Sequence, residues 1–175
     1  LQSQLSWTEY DSLTGLISFS RFRIEAEHLI VGNYATSHAM IYSDFESFKY
    51  FNQKCGYSVG DQLLKEYSNF FIEKLENVEP AAFTRIISDQ FLMLVPYADK
   101  EELIEKTKRF NQEFIQQQAG KFQGARLRIR IGVYFIEPGC VSASFAIDAA
   151  NYARKQVPHH TPVSIRIYDE ELKHK

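Results

Sequence analysis

Apolar residues follow two kinds of pattern along the chain. In some segments they recur at helical spacing, and in others they form short runs of the length of a strand. A helix is predicted over about 18–32 and a buried strand over 39–45, followed by a short turn or helix. A loop is predicted over 56–60, with a second long helix opening at Asp61, because apolar residues recur there every three or four positions. They are Leu63, Leu64, Tyr67, Phe70, Phe71 and Leu75.

The second half of the chain begins with two strands so close in sequence that they must form a hairpin. The strands cover 82–86 and 91–96, and residues 87–90 are left for the hairpin tip. Asp99 is predicted to cap the next helix. The remaining elements are a helix to about 118, a strand over 126–136, a helix over 144–156 and a strand over 163–168.

This order of elements predicts one α+β domain, with a central, mainly antiparallel sheet flanked by helices. No internal repeat or low-complexity tract is visible. We assign residues 11–168 to the domain, 1–10 to the end of an upstream linker helix and 169–175 to the start of a connector to a downstream domain. The chain opens without Met and ends without cap or turn residues, which suggests a piece of a longer protein.

Composition narrows the classes of partner and compartment. The 175 residues are 45% hydrophobic and carry a net charge of −2, so neither nucleic acid nor an acidic membrane surface is expected as a partner. The apolar segments are far shorter than the ~20 residues that span a bilayer. Two isolated cysteines, Cys55 and Cys140, fit a reducing compartment and predict a cytoplasmic location. A membrane anchor could still lie elsewhere in the parent protein.

Four segments carry recognisable motifs. They are Asp11-Ser-Leu-Thr-Gly-Leu16, Asp44-Phe-Glu-Ser-Phe-Lys49 with Asn52, Gly56-Tyr-Ser-Val-Gly-Asp61, and Asp148 with Ala150, Tyr152 and Lys155. In order, these segments resemble D-x-L-T-G-L, D-x-D-x-F-K-x-x-N, G-H-x-x-G-D and D-x-A-L-Y-x-A-K. With a hairpin between the third and fourth, the set is similar to the GGDEF domain family of bacterial signalling proteins. Its diguanylate cyclases join two GTP into cyclic di-GMP, on a palm-like fold that the resemblance implies here.

The signature of that family is altered in this chain. The hairpin reads Arg85-Ile-Ile-Ser-Asp-Gln-Phe91 where the family has R-x-G-G-D-E-F. Ile87 and Ser88 therefore replace both glycines, and Gln90 replaces the glutamate. Glycines tolerate positive φ and let a ligand approach bare backbone, whereas Ile87 disfavours that conformation. We expect the approach of a nucleotide to be obstructed at this tip.

The resemblance implies roles for the acidic residues. Asp44 and Asp89 match the positions that hold Mg²⁺, and Asp89 and Gln90 match the catalytic acids of the signature. Gln90 offers a carbonyl oxygen but no charge, so one anionic metal ligand and one proton acceptor are lost. Catalysis is predicted to be absent or severely impaired. Without the motifs, Asp44 would be read as a surface acid and Asp89 as a turn residue.

The nucleotide-binding positions match the family pattern better than the signature positions do. Asn52 and Asp61 match the positions that recognise guanine, and Lys49 and Lys155 match phosphate contacts. Asp61 could instead cap its helix, and the lysines could be solvated charges. Three neighbouring positions depart from the family: Gln53 replaces Asp, Tyr57 replaces His, and His159 stands where Arg often contacts phosphate. The inhibitory R-x-x-D motif would fall on 78–81 and is missing.

Three functions remain open from the sequence. The first is an inactive GGDEF-like module that binds GTP with Mg²⁺, or only a partner domain, and regulates a neighbour. The segment 165–172 resembles the connector to an EAL phosphodiesterase domain, which favours a GGDEF-EAL parent. The second is a working cyclase, which needs two GTP-loaded copies facing each other as a homodimer. The third is a structural or interaction module that binds no nucleotide, an outcome that would follow if Ile87 filled the nucleotide pocket.

Overall fold

A computed structural model of the chain describes residues 9–31, 37–122, 124–140, 142–158 and 161–169. Most of the predicted linker helix, residues 1–8, lies outside this part, and so do His159 and all of the predicted connector except Asp169. Within the described ranges, no helix is long and apolar enough to cross a lipid bilayer.

Five helices and five strands make up the described part of the chain. The helices are α1 (Phe19–Val31), α2 (Phe48–Cys55), α3 (Tyr57–Lys74), α4 (Lys100–Gln118) and α5 (Ala143–Lys155). The strands are β1 (His38–Phe45), β2 (Ala82–Ile87), β3 (Gln90–Pro96), β4 (Ile129–Phe135) and β5 (Val163–Ile167). As predicted, the Asp99 side chain caps α4 by accepting the Glu101 N–H at 3.0 Å.

The strands form one sheet in the order β2-β3-β1-β4-β5. Every neighbouring pair is antiparallel except β4 and β5, so the predicted α+β class with a mainly antiparallel sheet is confirmed. Strand β1 lies in the centre, and all eight of its residues are buried. The polar residues of β1, Asp44 among them, are therefore carried into the interior.

Helices cover both faces of the sheet because the side chains of β1 alternate between two apolar clusters. Ala39, Ile41 and Phe45 join the cluster that contains residues of α2, α3 and α4. Met40 and Tyr42 join the cluster that contains residues of α1 and α5. Both faces are closed, which leaves the ends of the strands as places where polar side chains can gather.

Helix α5 approaches β4 closely at Gly132. A Cβ atom at this position would lie 2.0 Å from the Ala150 carbonyl oxygen and 2.3 Å from the Arg154 backbone nitrogen. Any side chain at Gly132 would therefore push the helix backbone away from the sheet. The close approach brings the end of α5, with Arg154, over the end of β1.

A bidentate ion pair ties the loop before α1 to the signature hairpin. The Arg85 Nε and Nη2 atoms donate to the two Asp11 carboxylate oxygens at 3.0 and 2.9 Å, while Nη1 donates to the Ser88 carbonyl at 3.0 Å. Thr14 donates its N–H and its hydroxyl to the same Asp11 carboxylate. The D-x-L-T-G-L loop and the hairpin thus share one hydrogen-bonded cluster.

Two local expectations are wrong. Helix α3 begins at Tyr57, not at Asp61, because Gly56 takes a φ of 95° that reverses the chain directly after α2. Asp61 therefore lies inside α3 and cannot be its cap. The hairpin tip is also tighter than the predicted 87–90: Ile87 pairs with Gln90, and only Ser88 and Asp89 form the turn.

The contact at Gly132 can be tested by the substitution Gly132→Ala. We expect a loss of about 3 kcal/mol in the free energy of unfolding, since both clashing atoms belong to backbone. Urea denaturation measures it. Gly120→Ala is the matched control: Gly120 has a φ of 82° but open space around it, so only backbone strain of about 1 kcal/mol is expected. Equal losses for the two variants would contradict the close approach.

The ion pair at Arg85 can be tested by Arg85→Met, which should lower the free energy of unfolding by about 1.5–3 kcal/mol. Burial raises the pKa of Asp11, but hydrogen bonds from Arg85 and Thr14 outweigh it and hold that pKa below its usual value. The stabilisation is therefore complete above the unfolded-state pKa and is lost as the pH falls through the lowered folded-state pKa. The free energies of unfolding of wild type and Asp11→Asn, measured by urea titration, should therefore converge as the pH is lowered from neutral to acidic values.

Arg21→Met serves as the control for Arg85→Met, because the ion pairs of Arg21 with Glu9 and Glu25 are more exposed. We expect a smaller loss there. A loss at Arg85 no larger than at Arg21 would show that the loop and the hairpin are not held by this contact.

Candidate functional site

Asp44, at the carboxyl end of β1, is paired with two arginines. Its side chain is only 5% exposed. Arg130, its cross-strand partner on β4, donates Nε to Oδ1 at 2.9 Å and Nη2 to Oδ2 at 2.5 Å. Arg154 of α5 donates Nη1 to the same Oδ2. Both oxygens of Asp44 therefore accept guanidinium N–H groups, and these bonds raise the pKa of Arg130.

Arg154 contacts Asp44, the Tyr42 ring and Asn151. Its side chain is 5% exposed, and its guanidinium lies 4.8 Å from the centre of the Tyr42 ring. Asn151, one turn earlier on α5, accepts Nε and Nη2 of Arg154 on its Oδ1 at 3.2 and 2.7 Å. Each of the three guanidinium nitrogens of Arg154 thus donates one hydrogen bond, to Asp44 or to Asn151, which fixes its orientation.

Sequence reasoning missed Arg130, Arg154 and Asn151, although two of them carried a signal. In the motif D-x-A-L-Y-x-A-K, Asn151 stands at the leucine and Arg154 at the second alanine. A large cation in place of alanine, with an amide one helical turn before it, indicates a new polar contact. Arg130 could be placed only after the register of β1 and β4 was known.

Asp89 lies in the turn of the hairpin but reaches back to β1. Its Oδ2 accepts the Phe45 N–H at 3.0 Å, and the carboxyl is partly buried. Burial and the neighbouring Asp44 charge raise the pKa of Asp89 above its usual value. Asp89 therefore does more than form a turn: it joins the hairpin to the end of the central strand.

Gln90 is engaged within the protein as well. The Tyr42 hydroxyl donates to its Oε1 at 2.9 Å. Since Tyr42 also lies under Arg154, the ring connects the signature hairpin to the arginine cluster. The structure thus brings together three residues that were predicted from two motifs: Asp44 from the strand-end segment, and Asp89 and Gln90 from the signature hairpin.

The Mg²⁺ ion that the resemblance implies is not matched by these side chains. Mg²⁺ requires free oxygen ligands in near-octahedral geometry. Both oxygens of Asp44 accept arginine N–H groups, one oxygen of Asp89 accepts a backbone N–H, and Oε1 of Gln90 accepts a hydroxyl. The two aspartates are balanced by two arginines. In the described ranges, no group of three or more acidic, His or Cys residues could hold a metal ion.

The hairpin tip differs from its predicted conformation. Ser88, not Ile87, adopts the positive φ, at 52°, and Ile87 stays within β2. The Ile87 side chain is 66% exposed. This exposure gives no support to the alternative in which Ile87 fills the nucleotide pocket, and the effect of Ile87 on a nucleotide stays a prediction.

The predicted guanine-binding residues lie at the junction of α2 and α3. Asn52 is half-buried, and its buried Oδ1 has no hydrogen-bond partner among the residues that the structure describes. This oxygen sits against Gly60, where an added Cβ would lie only 1.8 Å away. Gly60 therefore makes room for the Asn52 amide. Asp61 follows directly and is exposed on α3.

The predicted phosphate-binding lysines are both exposed on helices. Lys49 is exposed near the start of α2, one turn before Asn52. Lys155 is exposed at the last position of α5, directly after Arg154. The roles of Asn52, Asp61, Lys49 and Lys155 toward a nucleotide stay predictions.

Comparison with known proteins agrees with this architecture. Residues 8–160 match the family model described as diguanylate cyclase, GGDEF domain. The biofilm architecture maintenance protein MbaA of Vibrio cholerae is 32% identical over 93 residues, which are 50% of this chain and 12% of that protein. The chain spans between 9% and 24% of the length of the curated relatives it matches.

Solved structures share the fold at low sequence identity. The coiled coil and GGDEF domain of DgcB from Caulobacter crescentus, solved in complex with c-di-GMP, matches with a TM-score of 0.78 and 18% identity, over 94% of this chain and 88% of that one. The S helix-GGDEF-EAL part of Vibrio cholerae LapD, bound to c-di-GMP, matches with a TM-score of 0.67 and 14% identity, over 97% and 39%. With its family model covering most of the sequence, this chain belongs to the GGDEF domain family of cyclic di-GMP signalling.

Proposed function

We propose that this chain is a catalytically silent GGDEF domain that acts as a regulatory module in a cyclic di-GMP signalling protein. The observation that carries the proposal is which residues stand at the catalytic positions and which groups they bind. Gln90 replaces an acid and accepts a hydrogen bond from Tyr42, while Asp44 is neutralised by Arg130 and Arg154.

The chemistry of cyclisation explains why this arrangement is unfavourable. The 3′-hydroxyl of one GTP must lose a proton before it attacks the α-phosphate of the other, and metal ions must neutralise the phosphates. A neutral amide at Gln90 cannot accept that proton. Asp89 keeps a carboxylate, but one of its oxygens is held by the Phe45 N–H.

We further propose that GTP binds at the junction of α2 and α3. Asn52 is half-buried and Asp61 is exposed, and an amide with a carboxylate suits guanine, which presents an acceptor at O6 beside N–H donors at N1 and N2. Asp61, Lys49 and Lys155 are exposed and so accessible to a ligand. Any Mg²⁺ would arrive on the phosphates of GTP, since Asp44 offers it no free oxygen.

The parent protein in this proposal has a GGDEF-EAL arrangement and lies in the cytoplasm, where the domain regulates its neighbour. The likeness to the S helix-GGDEF-EAL part of LapD supports the arrangement, and two free cysteines support the compartment. A structural module without nucleotide is the second candidate, and the exposed Ile87 side chain does not by itself favour it.

Calorimetric titration with GTP and Mg²⁺, followed by chromatography of the same samples, tests the missing activity. We expect binding of GTP but neither pyrophosphate nor cyclic di-GMP, because no acid stands at position 90. Light scattering should show no GTP-dependent dimer. Formation of cyclic di-GMP would overturn the proposal, and absence of GTP binding would leave a module that acts only through protein contacts.

The guanine site can be tested by Gly60→Ala, which displaces the Asn52 amide without changing Asp61. We expect GTP affinity to fall about tenfold, the equivalent of one lost hydrogen bond. The fold should be retained, since alanine in a helix is up to about 1 kcal/mol more favourable than glycine. Gln62→Ala, at an exposed position of the same helix, is the control. Unchanged affinity in Gly60→Ala would place guanine elsewhere.

A further inference from the structure

We propose that Arg130 and Arg154 serve as built-in cations that replace divalent metal ions beside Asp44, so that this centre is closed to metal. The proposal concerns which cations lie beside Asp44 and Asp89, and it holds whether or not the domain binds GTP. It rests on the geometry of the two guanidinium groups and on the residues that hold them.

The guanidinium groups use the two Asp44 oxygens that a metal ion would need. Arg130 takes Oδ1 with Nε and Oδ2 with Nη2, and Arg154 adds a second donor to Oδ2. A divalent ion that took both oxygens would have to displace both side chains, whereas Oδ1 alone is held by Arg130. Arg154 would then remain buried without its carboxylate, which is costly.

The charges explain why no further cation is required. Two positive side chains balance Asp44 and the neighbouring Asp89, as one divalent ion would. Unlike a bound metal ion, a guanidinium cannot dissociate, and it stays protonated throughout the physiological pH range. The positive charge that the two arginines place beside Asp44 is therefore a fixed property of the chain.

Three further residues support the exchange of metal for arginine. Asn151 accepts two N–H groups of Arg154, and Tyr42 covers the guanidinium face. Gly132 allows α5 to come close enough for Arg154 to reach β1. Because Arg154 is supported by its own hydrogen-bond partner and aromatic neighbour, it is a built element of the centre rather than a chance surface ion pair.

The direct test is Mn²⁺ binding to the wild-type domain, followed by electron paramagnetic resonance, with Asp44→Asn as the reference. Both proteins should bind Mn²⁺ equally, because any binding comes from other surface acids. A Mn²⁺ site that is present in the wild type and lost in Asp44→Asn would overturn the proposal.

The converse test reopens the centre with Arg130→Ser/Arg154→Ala. Mn²⁺ should bind this variant at least about tenfold more tightly than the wild type and raise its Tm, because the ion then balances Asp44. Adding Asp44→Asn to the variant should abolish both effects. A folded variant without an Asp44-dependent site would contradict the proposal. Should it fail to fold, Arg130→Ser alone carries the same comparison, while the wild-type titration decides independently.

Discussion

The structure depends on how one negative charge is accommodated at the end of its central strand. Strand β1 pairs on both sides and is covered on both faces, so Asp44 enters an environment where an unpaired carboxylate would be strongly unfavourable. Two arginines pair with this carboxylate, Arg130 from the neighbouring strand β4 and Arg154 from helix α5. The position of α5, the presence of Gly132 and the roles of Asn151 and Tyr42 all follow from bringing the second guanidinium to that carboxylate.

The same arrangement links packing to chemistry. Tyr42 connects Arg154 to Gln90, and Asp89 connects the hairpin turn to the backbone of β1, so the signature hairpin is held by hydrogen bonds within the domain. On the other side of the hairpin, Arg85 holds the Asp11 loop and the Ser88 carbonyl. The side chains of Asp44, Asp89 and Gln90, which match catalytic positions of the family, thereby make hydrogen bonds within the domain.

Most of the fold could be predicted from the sequence, because it depends on local periodicity and on turn and cap residues. The hairpin, the Asp99 cap and the mainly antiparallel sheet are of this kind. The start of α3 could not, since Gly56 and Gly60 resemble loop residues until α2 is seen to pack against Gly60. The arginine cluster could not either: Arg130 and Arg154 lie 86 and 110 positions from Asp44, and only the strand register and the approach of α5 bring them together.

The burial of Arg154 also has an evolutionary consequence. Restoring glutamate at position 90 would not by itself regenerate the ancestral site, because both guanidinium groups would still cover Asp44. Removing Arg154 alone would leave Asn151 without its partner and Asp44 with one cation fewer, at a cost of about 3–5 kcal/mol when a buried pair is broken. Loss of Arg154 therefore passes through a less stable protein, whatever residue stands at position 90.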